Sequence, residues 1–100
     1  MIVKLAYGQG HLAVDLPDGR TTVIEPTHRQ GLQDEKGAVF RALEQPIAAK
    51  PLREWIKPGN KVCISFTDIT RATPNHKLIP WILEHISHLP RENITLLNLS

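Results

Sequence analysis

One hundred residues, 41% of them apolar and 22% charged, with a formal net charge of +2, describe one soluble globular domain with a single modest core. No apolar run approaches the ~18 residues of a membrane span, and Met1-Ile2-Val3-Lys4-Leu5 lacks the pattern of a signal peptide, so the expected setting is the cytoplasm, with no membrane partner. Lysines and arginines are scattered without a like-charge run or an aromatic platform, which argues against a nucleic-acid partner, and the lone Cys63 excludes an internal disulfide and a cysteine-based metal site.

Ile2 to Tyr7 and His11 to Leu16 read as strands joined by a hairpin loop at Gly8-Gln9-Gly10. Asp18-Gly19 marks a second tight turn, and the β-branched run Thr21 to Glu25 predicts a third strand, so residues 1–25 are expected to form an antiparallel meander. The Gly8-Gln9-Gly10 spacing lacks the third glycine of a dinucleotide fingerprint and precedes another strand rather than a helix, which favours the hairpin over a phosphate loop.

Residues 26–35 carry no period and read as a connection. Residues 36–57 then hold two short helices. Val39, Phe40 and Leu43 recur at helical spacing behind a candidate N-cap at Asp34, and Pro46 ends that helix. The second is opened by Pro51, with Trp55 expected to anchor in the core beside Leu52 and Ile56.

Residues 61–99 read as a βαβ unit. The apolar run Val62 to Phe66 is a buried strand in which Cys63 is expected to act as a small buried hydrophobe. Asn75 to Leu89 places Leu78, Ile79, Ile82, Leu83, Ile86 and Leu89 on one helical face, interrupted by Pro80 near the first turn, and Asn93 to Leu99 gives a second strand. His85 and His88, three apart and without an H-E-x-x-H pattern, are expected on a solvated edge. The fold class is therefore α/β, or α+β: an antiparallel meander followed by a Rossmann-like βαβ unit with a parallel strand pair.

Ligands of open α/β sheets collect beyond the carboxyl ends of the strands, here Phe66 to Pro74 on one side and Asn98 to Ser100 on the other. Asp68, Thr70 and Arg71 lie in that loop, just ahead of a helix. Free backbone amides, the helix dipole and a guanidinium suit a carboxylate or a phosphate. The competing reading is an Asp68–Arg71 pair that stitches the loop, with Thr73 capping the helix ahead of Pro74. Residue types alone leave the two evenly matched.

The run Ser65-Phe66-Thr67-Asp68-Ile69-Thr70-Arg71-Ala72-Thr73-Pro74, followed by Leu78-Ile79-Pro80 and Ile82-Leu83, resembles the Asp-x-Thr-Arg loop of the nickel-dependent lactate racemase family. Tyr7-Gly8, Leu16-Pro17 and Ala42-Leu43-Glu44-Gln45-Pro46-Ile47 fit the same amino-terminal pattern, so the resemblance covers nearly the whole chain. Ala72 stands where the family usually has proline. The resemblance implies a racemase or epimerase of 2-hydroxy acids that moves a hydride to and from a nickel pincer nucleotide, with paired histidines shuttling the hydroxyl proton.

It also implies that Asp68, Thr70 and Arg71 line the substrate and cofactor pocket. The family's catalytic and nickel-binding histidines and its cofactor-holding lysine match nothing before Ser100. The chain is accordingly expected to be the amino-terminal segment of a longer enzyme, inactive alone, with no catalytic residue, no metal ligand and no cofactor held by itself. Its expected partners are the anionic hydroxy acid and the rest of its polypeptide, and the apolar edge at Ile94 to Leu99 fits an incomplete sheet. A non-catalytic anion- or nucleotide-binding module and a structural or partner-binding domain remain as alternatives.

Overall fold

The computed structural model describes residues 1–99, which fall into two compact units divided between Gln30 and Gly31. In the first, strands β1 (Ile2–Tyr7) and β2 (Gly10–Asp15) pair antiparallel, with Tyr7 opposite Gly10 and Ile2 opposite Asp15. The intervening loop is only Gly8 and Gln9, and Gly8 takes φ +58°, a left-handed value that a residue without Cβ adopts at no steric cost. One face of the ribbon gathers Val3, Leu5, Leu12 and Val14 as cross-strand pairs.

The third strand of the expected meander does not form. After Pro17 the chain winds into a 3-10 turn over Asp18–Arg20 instead of reversing tightly, and residues 21–25 run without regular structure. β-Branched residues favour a strand only where a neighbouring strand supplies packing and ladder bonds, and here Val23 and Ile24 stay exposed.

The second unit holds the helices and a parallel strand pair. Helix α1 (Glu35–Glu44) opens at Asp34, whose Oδ1 accepts from the Gly37 amide at 2.9 Å, as the N-cap reading required. Gly37 lies directly against this cap, and a Cβ there would meet the Asp34 carboxylate as it stands and oblige it to shift. Helix α2 (Leu52–Trp55) is a single turn with Pro51 at its N-cap, one position earlier than expected. Trp55 is not a core anchor. It is 63% exposed, with the Lys50 ammonium 5.9 Å from its ring, because so short a helix turns only Leu52 inward.

Strands β3 (Val62–Thr67) and β4 (Ile94–Leu99) pair parallel, from Val62 beside Ile94 to Thr67 beside Leu99, and α3 (Asn75–His85) connects them. The mixed α/β architecture read from the sequence is therefore present, with its antiparallel pair and its parallel pair. Pro80 lies inside α3 without breaking it. The helix stops at His85, four residues short of expectation, and Leu89 reaches the interior from the turn that follows.

The interior of this unit centres on the end of α3, where His85, Ile86 and Leu89 are buried, and Val39, Phe40 and Leu43 of α1 are half-buried. Burial along β3 alternates instead of being continuous. Val62, Ile64 and Phe66 are half-buried, whereas Cys63 and Ser65 face outward beside the exposed Thr95 and Leu97. Cys63 is thus exposed rather than buried, because no described residue of this unit covers the second face of the sheet. Parallel sheets are normally covered on both faces.

Candidate anion-binding loop

The register of β3 and β4 brings the two carboxyl ends level, with Thr67 beside Leu99 and Phe66 beside Asn98. Loop 68–74 leaves the sheet at that end and enters α3 through Pro74. Pro74 occupies the N-cap and makes no side-chain cap bond, so Thr73 is not the cap; its carbonyl accepts from the Asn75 amide at 2.8 Å instead.

Within the loop Asp68 is half-buried, while Thr70 and Arg71 are exposed. The Asp68 carboxylate folds back on its own loop. Its Oδ1 accepts from the Thr70 amide at 3.0 Å and also from the Thr70 hydroxyl. Such an Asx turn fixes the carboxylate relative to the backbone. The Arg71 amide donates to the Asp68 carbonyl at 3.2 Å, closing the same turn. The stitched pair does not form: among the described residues the Arg71 guanidinium makes no ion pair and no hydrogen bond, and Asp68 Oδ2 has no partner.

Asp68, Thr70 and Arg71 are therefore brought together on one turn. They do not line an enclosed cavity. A depression of about 200 Å³ lies beneath the loop, walled by Ile64 to Thr67, Thr73, Asn75 and the apolar face of α3, and none of the three residues reaches it. A larger apolar groove of about 690 Å³ runs between α3 and β4, lined by Leu83, Leu89, Ile94 and Leu96 with Glu84 and Arg91 among its polar members.

Two side chains escaped the sequence reading. Asn75, the first residue of α3, donates through Nδ2 to the Thr67 carbonyl at 2.8 Å, tying the start of the helix to the end of the strand. The signal was an amide side chain directly after the proline that opens a helix. His85 is not on a solvated edge; it is 1% exposed, packed edge-on against Phe40 with ring centroids 5.0 Å apart and planes at 75°. Burial lowers its pKa below the ordinary imidazole value, reinforced by the Arg53 guanidinium and His88 and opposed by Glu44. His88 does stay exposed, with Nε2 2.8 Å from the Ile56 carbonyl.

Fold and loop together define a mixed α/β segment whose Arg71 stands at the carboxyl end of a parallel strand pair, without a partner among the described residues. The model of the lactate racemase N-terminal domain matches residues 7–99. The chain belongs to that family. It is also 32% identical over 87 residues to the lactate racemase of Thermoanaerobacterium thermosaccharolyticum, a match that covers 84% of this chain and 20% of that relative. The chain thus spans about a fifth of the length of the curated relative it matches.

Proposed function

We propose that this segment supplies one wall of the pocket of a 2-hydroxy-acid racemase or epimerase of the lactate type, with Arg71 as the ligand-holding group. The observation that carries the reading is the division of labour in the loop. Asp68 bonds to Thr70, and among the described residues the guanidinium of Arg71 has no partner at the end of the strand where ligands of such sheets gather. A 2-hydroxy acid carries a carboxylate, and a planar fork of N–H donors can hold it in two hydrogen bonds while its α-carbon stays open to reaction. Asp68 Oδ2, fixed by the turn and without a partner among the described residues, is placed to accept from a hydroxyl of substrate or cofactor.

The proposal extends to the nickel pincer nucleotide, which would supply a hydride acceptor. The donors here do not fit a metal site, since no three histidine, cysteine or carboxylate side chains converge among the described residues, so no step through nickel is assigned to this chain. The phosphate of such a nucleotide would suit Arg71 as well as a carboxylate does. We place residues 1–100 in the amino-terminal part of a larger Rossmann-like domain whose acid–base groups lie outside this segment, and we expect the segment alone to be inactive. A cytoplasmic setting suits the exposed thiol of Cys63, which a reducing compartment keeps free. No helix is long and apolar enough to cross a membrane among the described residues.

The test is Arg71→Ala in the full-length protein that carries this segment, assayed for racemisation of lactate. Loss of a charge-assisted pair is worth about 1.5–3 kcal/mol, or roughly 10- to 100-fold in kcat/KM. The melting temperature should hold, because among the described residues the guanidinium braces nothing. Turnover per folded molecule that is unchanged by Arg71→Ala would refute the reading.

A further inference from the structure

The loop bearing Asp68 and Arg71 is suspended between β3 and α3, and the side chain of Asn75 ties those two supports together by a hydrogen bond. Asn75 Nδ2 reaches from the first residue of the helix to the carbonyl of Thr67, the last residue of the strand, across a part-buried 2.8 Å contact. Asn75 is not required to begin α3, since the Lys77 and Leu78 amides both find the Pro74 carbonyl at 3.0 Å. What the contact does fix is the distance across which loop 68–74 must close. Thr67 is covalently joined to Asp68, Asp68 is locked to Thr70, and the Arg71 amide is bonded back to the Asp68 carbonyl. A shift of Thr67 relative to Asn75 is therefore passed directly to the carboxylate and the guanidinium.

We propose that Asn75 is a positioning residue for the ligand-holding loop: its amide sets where Asp68 and Arg71 stand relative to the carboxyl ends of β3 and β4. This rests on the reading of Arg71 given above. Asn75 itself touches no ligand. Its effect runs through the Thr67 carbonyl, so the isosteric Asn75→Asp is the discriminating change. Aspartate cannot donate to that carbonyl and sets a charge against it, yet an acidic side chain in the first turn suits the helix dipole and preserves α3.

The experiment uses the full-length protein and reads two quantities: lactate racemisation, and hydrogen exchange of the backbone amides of loop 68–74. With Asn75→Asp, and with the shorter Asn75→Ser as second variant, loop exchange should accelerate about fivefold or more and KM for lactate should rise by a similar factor, the worth of one hydrogen bond, with a fall in melting temperature no larger than the loss of that one bond produces. Unchanged exchange overturns the proposal, and so does unchanged KM in an active parent. A fall in melting temperature that accounts for both shifts overturns it too, since Asn75 would then be structural. A parent that racemises no lactate defeats the reading of Arg71 alone. Exchange then decides for Asn75 by the same threshold.

Discussion

Acid should loosen this fold through one side chain. His85 is buried in the junction of α1, α2 and α3, and neither ring nitrogen has a partner among the described residues. The groups around it cannot rescue a proton. Arg53 of α2 donates through Nε to the His85 carbonyl at 3.2 Å, with Nη2 4.0 Å from Glu44 at the end of α1. Lys36 stands 5.5 Å from the ring of Phe40, paired with Glu84 at 2.7 Å. Only Glu44 favours the imidazolium, and burial, Arg53 and His88 outweigh it.

The folded-state pKa therefore lies below that of the unfolded chain, about 6.5, and below that pH the unfolded state binds the extra proton. Stability is complete above about pH 6.5 and is lost as pH falls toward the folded-state value, at up to about 1.4 kcal/mol per unit. Between pH 7 and 5.5 the ceiling is about 1.3 kcal/mol, reached when the folded imidazole takes up no proton. Denaturant titrations of the parent and of His85→Leu at both pH values isolate the contribution, since the exposed histidines are common to both. The parent should lose up to that much more than the variant. Equal losses, or a ring that titrates at 6.5 or above by NMR, would refute the reasoning.

Asp34 and Gly37 should behave as a coupled pair. Gly37→Ala normally stabilises a helix interior by about 1 kcal/mol, but here its methyl displaces the capping carboxylate, so the gain should vanish in the parent and reappear in an Asp34→Ala background. A double-mutant cycle in urea checks this, and an uncoupled result would dismiss the cap. Ile86→Ala, at a fully buried position, should cost about 2–5 kcal/mol in the same assay. Leu97→Ala, half-exposed on the uncovered sheet face, should cost less than a third of that in the isolated chain.

The βαβ unit was legible because its signals are local. An apolar run, a helical stripe and a second apolar run each declare themselves within a dozen residues, and Asp34 lies three positions from the amide it caps. Most of the departures from expectation share one cause, which is dependence on distant partners. Thr21 to Glu25 has strand composition but no strand to join. Residue type points Cys63 and Trp55 to the interior, but their exposure depends on what covers a sheet face and on how far a short helix turns. His85 looked solvated because Phe40 and Arg53, which enclose it, lie far away in sequence. Asp68, Thr70 and Arg71 were found together on one turn, but their pairing was not legible: whether Asp68 bonds to Thr70 or to Arg71 is decided by a backbone turn that composition does not encode.

The pairing of β3 with β4 also governs how the chain comes off the ribosome. The β1–β2 hairpin closes across two residues and can form within microseconds of emerging. β3 has no such neighbour. Every bond of its ladder waits for residues made after the whole of α3, and at 5–20 residues per second that is a wait on the order of seconds. An eleven-residue helix is marginal before it has a sheet to lie on. Between the emergence of β3 and that of β4, Val62 to Phe66 is an unpaired apolar strand, and the nascent chain is most exposed to misassociation until Ile94 to Leu99 has followed it out.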